Sequence, residues 1–353
     1  MNRRNILIGT VVALATSLPT AALAEWPERP IRMIIPFGPG GGADTLGRTV
    51  AEPLSDILGV EIVAENVTGA GGTIGVGTMA NEEADDYTIG VVNVSTQVTA
   101  PAVRDNLNYD PGTSFEYIAM LGGAPTVIAV NPDVGVSTLE ELVEMARNAS
   151  PPMAYGSPGT LTMSNLVPAK YFQDIGVEVE PIPYQGAAAA VTDAVAGHVP
   201  FTGTTFSTAR PQLDDGNLIP LAISTAERVP SYPDVPTFAE LGHEDLTSIT
   251  WFGMAAPAGT SQEVVEKIND GVNQVLQMPE VIEVLEGRGF VITPMEPAEF
   301  RDYAASQLEL FGPVARSAPD EDRSDLCPGP RAGARRRPAA TPERTPRKLQ
   351  DRV

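Results

Sequence analysis

Short apolar runs alternate with helix-like stretches along most of this chain, and that rhythm restricts the fold to βαβ units. Strands are predicted at Ile31 to Pro36, Val60 to Glu65, Tyr87 to Val92, Phe115 to Leu121, Thr126 to Val130, Val177 to Ile182, Leu218 to Ile223 and Thr250 to Ala255. Helix starts are signalled between them. Ser137 with Glu140 and Thr260 with Glu263 are spaced as capping boxes, and Pro297 suits a first helical turn. About 290 residues of this pattern exceed what one sheet usually organises, so the expectation is an α/β protein with mostly parallel sheets in two lobes. A ligand would then lie in the crevice beyond the strand ends.

The ends of the chain differ from its body. Arg3 and Arg4, an apolar run from Ile6 to Leu18 and Ala22-Leu23-Ala24 have the order of a secretory signal, cleaved after Ala24, by the general or the twin-arginine route. From Pro319 the sequence turns Arg- and Pro-rich, which predicts a disordered tail and fits a shifted reading frame. The single cysteine, Cys327, lies in that tail, so no disulfide staples the fold. Setting aside two basic residues before Glu25, and nine basic and six acidic ones from Pro319 on, leaves 12 basic against 39 acidic residues, a net charge of -27. Such a surface repels nucleic acid and anionic membranes.

The stretch "IRMIIPFGPGGGADTLGR" runs from a strand through Gly38, Gly40, Gly41 and Gly42 into a helix near Asp44 and Thr45. Glycines allow the backbone to approach a guest closely, their amides can form a nest, and the helix adds its positive end, so the bend suits an anionic oxygen. Asp44 reads first as an N-cap. A second bend, "ENVTGAGGTIG", repeats the device with Gly69, Gly71 and Gly72 before Thr73. A nucleotide P-loop is excluded, because Ala43 and Asp44 stand where Lys and Ser or Thr are required. A dinucleotide site stays open as an alternative. Gly38 to Ala43 fits G-x-G-x-x-A, and Glu65 ends the next strand where a ribose-binding acid could sit. An export signal argues against a nicotinamide oxidoreductase, and a cofactor-free carboxylate nest is the preferred reading.

Catalysis finds little support. His198 and His243 lack motif partners and metal-ligand spacing, and in "YGSPGT" Pro158 follows Ser157 where a nucleophile elbow needs an amide. The expectation is therefore a protein that is not an enzyme and uses no cofactor or metal.

Taken in order, "WPERPIRMIIPFGPGGGADTLGR", "ENVTGAGGTIG", "YGSPGT", "YQGAAAAVTDAVAGHV", "ISTAERVPSYPDVPTFAELG" and "WFGMAAPAGTSQEVVEKIN" resemble the Bug-type periplasmic receptors of tripartite tricarboxylate transporters. The likeness runs from about Trp26 to Ala318. It implies a type II-like clamshell whose lobes, joined by crossing strands, close on a small organic acid and pass it to membrane permease subunits. A receptor that presents its ligand to a membrane kinase or chemoreceptor is the alternative. The resemblance places Phe37, Gly38, Gly40, Gly41, Gly42, Asp44 and Thr45 in the first-lobe ligand loop, Gly71, Gly72 and Thr73 in its companion, and Ser95, with Thr96 and Gln97, in a third loop. In the second lobe it points to Tyr155, Gly156, Ser157, Gly159, Thr160, Tyr184, Gln185, Gly186 and Asp193. It divides the chain into 25–124 plus 247–318 and 125–246. Val67-Thr68, Asn165 and "PFTGTTFSTA" depart from the family pattern, so tricarboxylate specificity does not follow. Gly41 is the position where a branched side chain is expected to block the nest.

Overall fold

The computed structural model describes residues 26–317; the expected signal and the Arg/Pro-rich tail lie outside the described residues. The first elements are β1 (Ile31–Ile35), α1 (Gly42–Leu58), β2 (Ile62–Asn66), α2 (Thr73–Ala80) and β3 (Thr88–Asn93). A π-helical turn over Ser95–Thr99 runs into α3 (Ala100–Val103), and the long β4 (Phe115–Val130) follows. Then come α4 (Leu139–Asn148), β5 (Met153–Ser157), α5 (Met163–Asp174), β6 (Val179–Pro183), α6 (Ala187–Val195), β7 (Phe201–Thr205), α7 (Phe206–Asp214) and β8 (Ile219–Ile223). The chain returns through β9 (Ile249–Pro257), α8 (Gln262–Val275), α9 (Pro279–Gly287), β10 (Val291–Met295) and α10 (Pro297–Ser317).

The strands order as β2-β1-β3-β9-β4-β7-β5-β6, with β8 and β10 also on β4. β1 pairs in parallel with β2 and β3, and β5 pairs in parallel with β6 and β7, as βαβ units require. β4 and β9 cross between these groups and pair antiparallel, so the sheet as a whole is mixed. The two strands predicted at Phe115 to Leu121 and Thr126 to Val130 are one. The four residues between them, Gly122 to Pro125, keep their strand pairing to β9 from Gly122↔Phe252 to Pro125↔Ile249. β5, β7 and β10 escaped the sequence reading. β5 (MAYGS) and β10 (VITPM) carry Gly-Ser and Pro within five residues, and β7 places Thr and Gly after Phe201, so none presents an apolar run.

Helix starts shift slightly from expectation. Thr138 caps α4, its hydroxyl accepting from the Glu141 amide at 3.2 Å, while Glu141 accepts from the Ser137 amide at 2.7 Å. The box is therefore one residue later than Ser137 and Glu140. At α8, Thr260 donates to the Pro257 carbonyl and Ser261 takes the cap position without a side-chain bond, so that box does not form. α10 begins at Pro297 as expected.

Beneath the first group of strands, Leu46, Val50 and Leu54 of α1 meet Ile268 and Val272 of α8 in one buried cluster with Ile31, Met33 and Ile35. Each fully buried aliphatic side chain contributes roughly 1.5–3 kcal/mol of transfer free energy. In the second group, Tyr155 stacks on Phe201 at 5.1 Å, with Phe172 tilted against it. Trp251 of β9 is buried at the crossing, edge-on to Phe300 of α10. No described helix is long and apolar enough to cross a membrane.

Candidate functional site

The loops at the carboxyl ends of β1, β2 and β3 meet those of β5, β6 and β7 across one seam, where ligands bind in open α/β sheets. The β1–α1 loop reaches furthest. The Gly38 amide donates to the Gln185 carbonyl at 2.9 Å, and Thr68 donates to the Gln185 side chain at 2.8 Å. A Cβ on Gly159 would lie 3.3 Å from Gly71 Cα, and one on Gly186 3.1 Å from the Gly38 nitrogen. Thr99 donates to the Leu161 carbonyl. These contacts bring Phe37, Gly38, Gly40, Gly41, Gly42, Gly71, Gly72, Gly159, Gln185 and Gly186 together in a closed arrangement.

Room for substitution differs between Gly41 and Gly38. A Cβ on Gly41 would meet Ala187 at 3.7 Å, an ordinary contact, whereas one on Gly38 would lie 2.8 Å from the Gln185 carbonyl oxygen. Gly38 is thus the position that closure cannot widen. In the companion loop Gly69, Ala70, Gly71 and Gly72 all take positive φ, and a Cβ on Gly72 would strike Phe37 and Thr96. Gly72 thus needs to be glycine for conformation and for packing alike.

α1 starts at Gly42, two residues before the predicted position, so Asp44 is not its N-cap. Its buried carboxylate instead accepts from the Gly40 amide at 2.9 Å, from Asn66 at 2.8 Å and from Arg48 at 2.8 Å. Burial pushes the Asp44 carboxyl up, but these three donors outweigh it and hold it below the usual carboxylate range. Asp44 therefore organises the loop through these three donors. Asn66 adds a 2.8 Å bond to the Phe37 carbonyl, and Arg48 a 2.8 Å bond to Asn66. Neither Asn66 nor Arg48 was marked in the sequence, because each acts through the loop and carries no motif of its own. With Asp44 engaged and no side-chain cap at Gly41, the buried first-turn amides of Gly42 and Ala43 lack an intrahelical acceptor. Thr45 donates its amide to Gly41 and starts the helical ladder.

The remaining predicted residues divide into supporting and lining groups. The Tyr155 side chain is fully buried, and its hydroxyl donates to Asn165 at 2.7 Å, so it belongs to the core beneath the loop. Asn165 also donates to the Thr160 carbonyl, which gives a local role to a side chain that departs from the family pattern. Ser157 is buried under Gly159, and Gly156 accepts from Thr202 at 2.8 Å. Thr73 donates to the Ala70 carbonyl. Thr96 bonds Asn93 and Gln97 accepts from Tyr117, whereas the buried Ser95 hydroxyl has no partner among the described residues. Thr204 and Ser207, at the β7–α7 turn, are buried hydroxyls in the same condition.

Asp193 accepts from the Tyr184 hydroxyl at 2.7 Å and lies 3.4 Å from His198, so its carboxylate is directed to those groups. The Tyr184 hydroxyl, then His198, hold it below the usual carboxylate range. Tyr184 itself is pushed up to about 12, by burial first and by Asp193 second. Among the described residues no cluster of His, Cys, Asp and Glu could hold a metal ion.

Two groups of parallel strands joined by crossing strands, with their loops meeting over uncapped helix amides, define the mixed α/β fold of periplasmic binding proteins. Residues 46–318 match the tripartite tricarboxylate transporter family receptor model, and the chain belongs to that family of non-enzymatic solute receptors. Protein BugT of Bordetella pertussis is 29% identical over 317 residues, covering 90% of this chain and 97% of that protein. A solved periplasmic transporter is 33% identical, with a TM-score of 0.80, over 83% of this chain and 98% of its own. Two structures from Rhodopseudomonas palustris carry ligands. Rpa4515 with adipate is 28% identical at a TM-score of 0.79, covering 83% of this chain and 98% of its own. MatC with malate is 26% identical at 0.78, covering 82% and 100%.

Proposed function

We propose that this chain is an exported receptor, freed of its signal after Ala24, that captures a small carboxylate-containing organic acid between two lobes and delivers it to membrane permease subunits. The lobes are 25–124 plus 247–318 and 125–246. One observation carries the reading. The start of α1 holds buried amides with no intrahelical acceptor and no side-chain cap, next to a carboxylate already neutralised by Arg48, so the loop can receive an anionic oxygen without a cation of its own. Adipate and malate, bound by relatives of this fold, have that chemistry.

The ligand acid lies against the β1–α1 and β2–α2 loops on one side and against the Gly156 to Thr160 and Tyr184 to Gly186 loops on the other. Calorimetry with malate, adipate, succinate and acetate tests the reading. Saturable binding of at least one, weakened at least about tenfold in Gly38→Ala, is expected; failure of all four, with stabilisation by NAD instead, would replace it with the dinucleotide reading.

A further inference from the structure

Two helices begin at the same seam from opposite sides. α1 starts at Gly42 with Gly41 as its cap residue and no side-chain cap. α7 starts at Phe206 behind Thr205, whose hydroxyl pairs with Thr208 and caps no amide. The two starts touch: the Ser207 hydroxyl oxygen lies 3.5 Å from where a Cβ on Gly42 would sit. Each helix start carries roughly half a positive charge, and the first-turn amides of both lack intrahelical acceptors. An anion bound beside both starts would be favoured by each of them.

Ser207 adds an independent sign of that anion. Its side chain is 2% exposed, and its hydroxyl has no partner among the described residues. A buried hydroxyl left unpaired destabilises a fold, so its position calls for an acceptor that arrives from outside. The residue belongs to the stretch "PFTGTTFSTA", where the sequence departs from the family pattern.

We infer that Ser207 and the start of α7 form a second-lobe clamp for the same carboxylate that the start of α1 receives, so that one anion joins the two lobes. The inference rests on the carboxylate reading above and assigns it a specific hydroxyl. The Ser207 hydroxyl donates to a carboxylate oxygen, and the α7 amides of Ser207 and Thr208 face the same charge. Closure then follows from binding, because the Ser207 hydroxyl and the start of α1 reach one anion together only when the lobes are shut.

The test compares wild type, Ser207→Ala and Ser207→Thr by calorimetry with malate, adipate, succinate and acetate, together with the ligand-free melting temperature of each. Ser207→Ala should bind the best wild-type ligand roughly 10- to 100-fold more weakly, the loss expected for one hydrogen bond to a charged acceptor. Its ligand-free melting temperature should stay level or rise, since an unpaired buried hydroxyl has been removed. Ser207→Thr, which keeps the hydroxyl, should recover much of the affinity. If Ser207→Ala binds as wild type does, the clamp is overturned while the carboxylate reading stands. A lower ligand-free melting temperature with affinity unchanged would make Ser207 structural and overturn the clamp as well. If wild type binds none of the four acids, both the reading and the clamp fall.

Discussion

Asp44 sits where a ligand-binding acid would be sought, yet its carboxylate is fully occupied by Gly40, Asn66 and Arg48. Asp44→Asn offers only one acceptor oxygen and places a second donor among existing donors, so it should lower stability by about 1–3 kcal/mol. The pH dependence has a definite sign. A carboxyl held below its ordinary value contributes stability that is complete above about pH 4 and is lost as pH falls through the folded value. The gap between wild type and Asp44→Asn, measured by urea melts, should therefore shrink on acidification below about pH 4. A gap that widens there would contradict the assignment. Asp193 works through Tyr184 in a similar way. Removing its charge in Asp193→Asn should move the tyrosine titration down from about 12, read as a difference in ultraviolet absorbance between the two proteins. An unchanged titration would show that the Tyr184–Asp193 bond does not form in solution.

At the scale of elements, the closure proposed above would depend on the β1–α1 loop touching the Gln185–Gly186 turn. Gly38 lies outside the left-handed region, and an added Cβ would meet only the opposite turn, at 2.8 Å. Gly38→Ala should fold and melt like wild type, bind at least about tenfold more weakly, and keep a larger radius of gyration in X-ray scattering at saturating ligand. Wild-type affinity in this variant would remove the loop from the closed seam. Gly122 has the opposite character. It takes φ +143 in β4, and a Cβ there would lie 2.4 Å from the Val291 carbonyl oxygen, so Gly122→Ala should lower stability by roughly 2 kcal/mol or more in denaturant melts.

The same contrast explains what could be read from the sequence. The outer strands and α1 were legible from apolar periodicity, and the glycine bends from composition. The course of β4 was not, because Gly122 to Pro125 read as a break although pairing with β9 carries the strand through them. β7 was hidden because its side chains are small and hydroxylated. In the site, the glycine loops that meet at the seam were legible as glycines. The parts played by Asn66 and Arg48 were not, since each depends on a partner from another element that sequence spacing does not reveal.

For the whole molecule, the body between the two ends carries 12 basic and 39 acidic residues, so an anionic ligand approaches against a repulsive field. On the proposed reading, capture would depend on short-range dipoles at a buried seam, which salt screens weakly. Raising salt should speed association by screening that repulsion and leave the affinity within about threefold, measured by stopped-flow fluorescence and calorimetry. A fall of orders of magnitude would point to a cationic site instead. The central claim, that a carboxylate closes this receptor, is met most directly by a thermal-shift titration of the exported chain with malate, adipate, succinate and acetate. A ligand that binds only the folded form stabilises it by RT ln(1 + [L]/Kd), about 2.7 kcal/mol at a hundredfold excess over Kd. The account predicts a concentration-dependent rise in melting temperature with at least one of these acids, and no rise with NAD; a rise with NAD and none with any acid would contradict it.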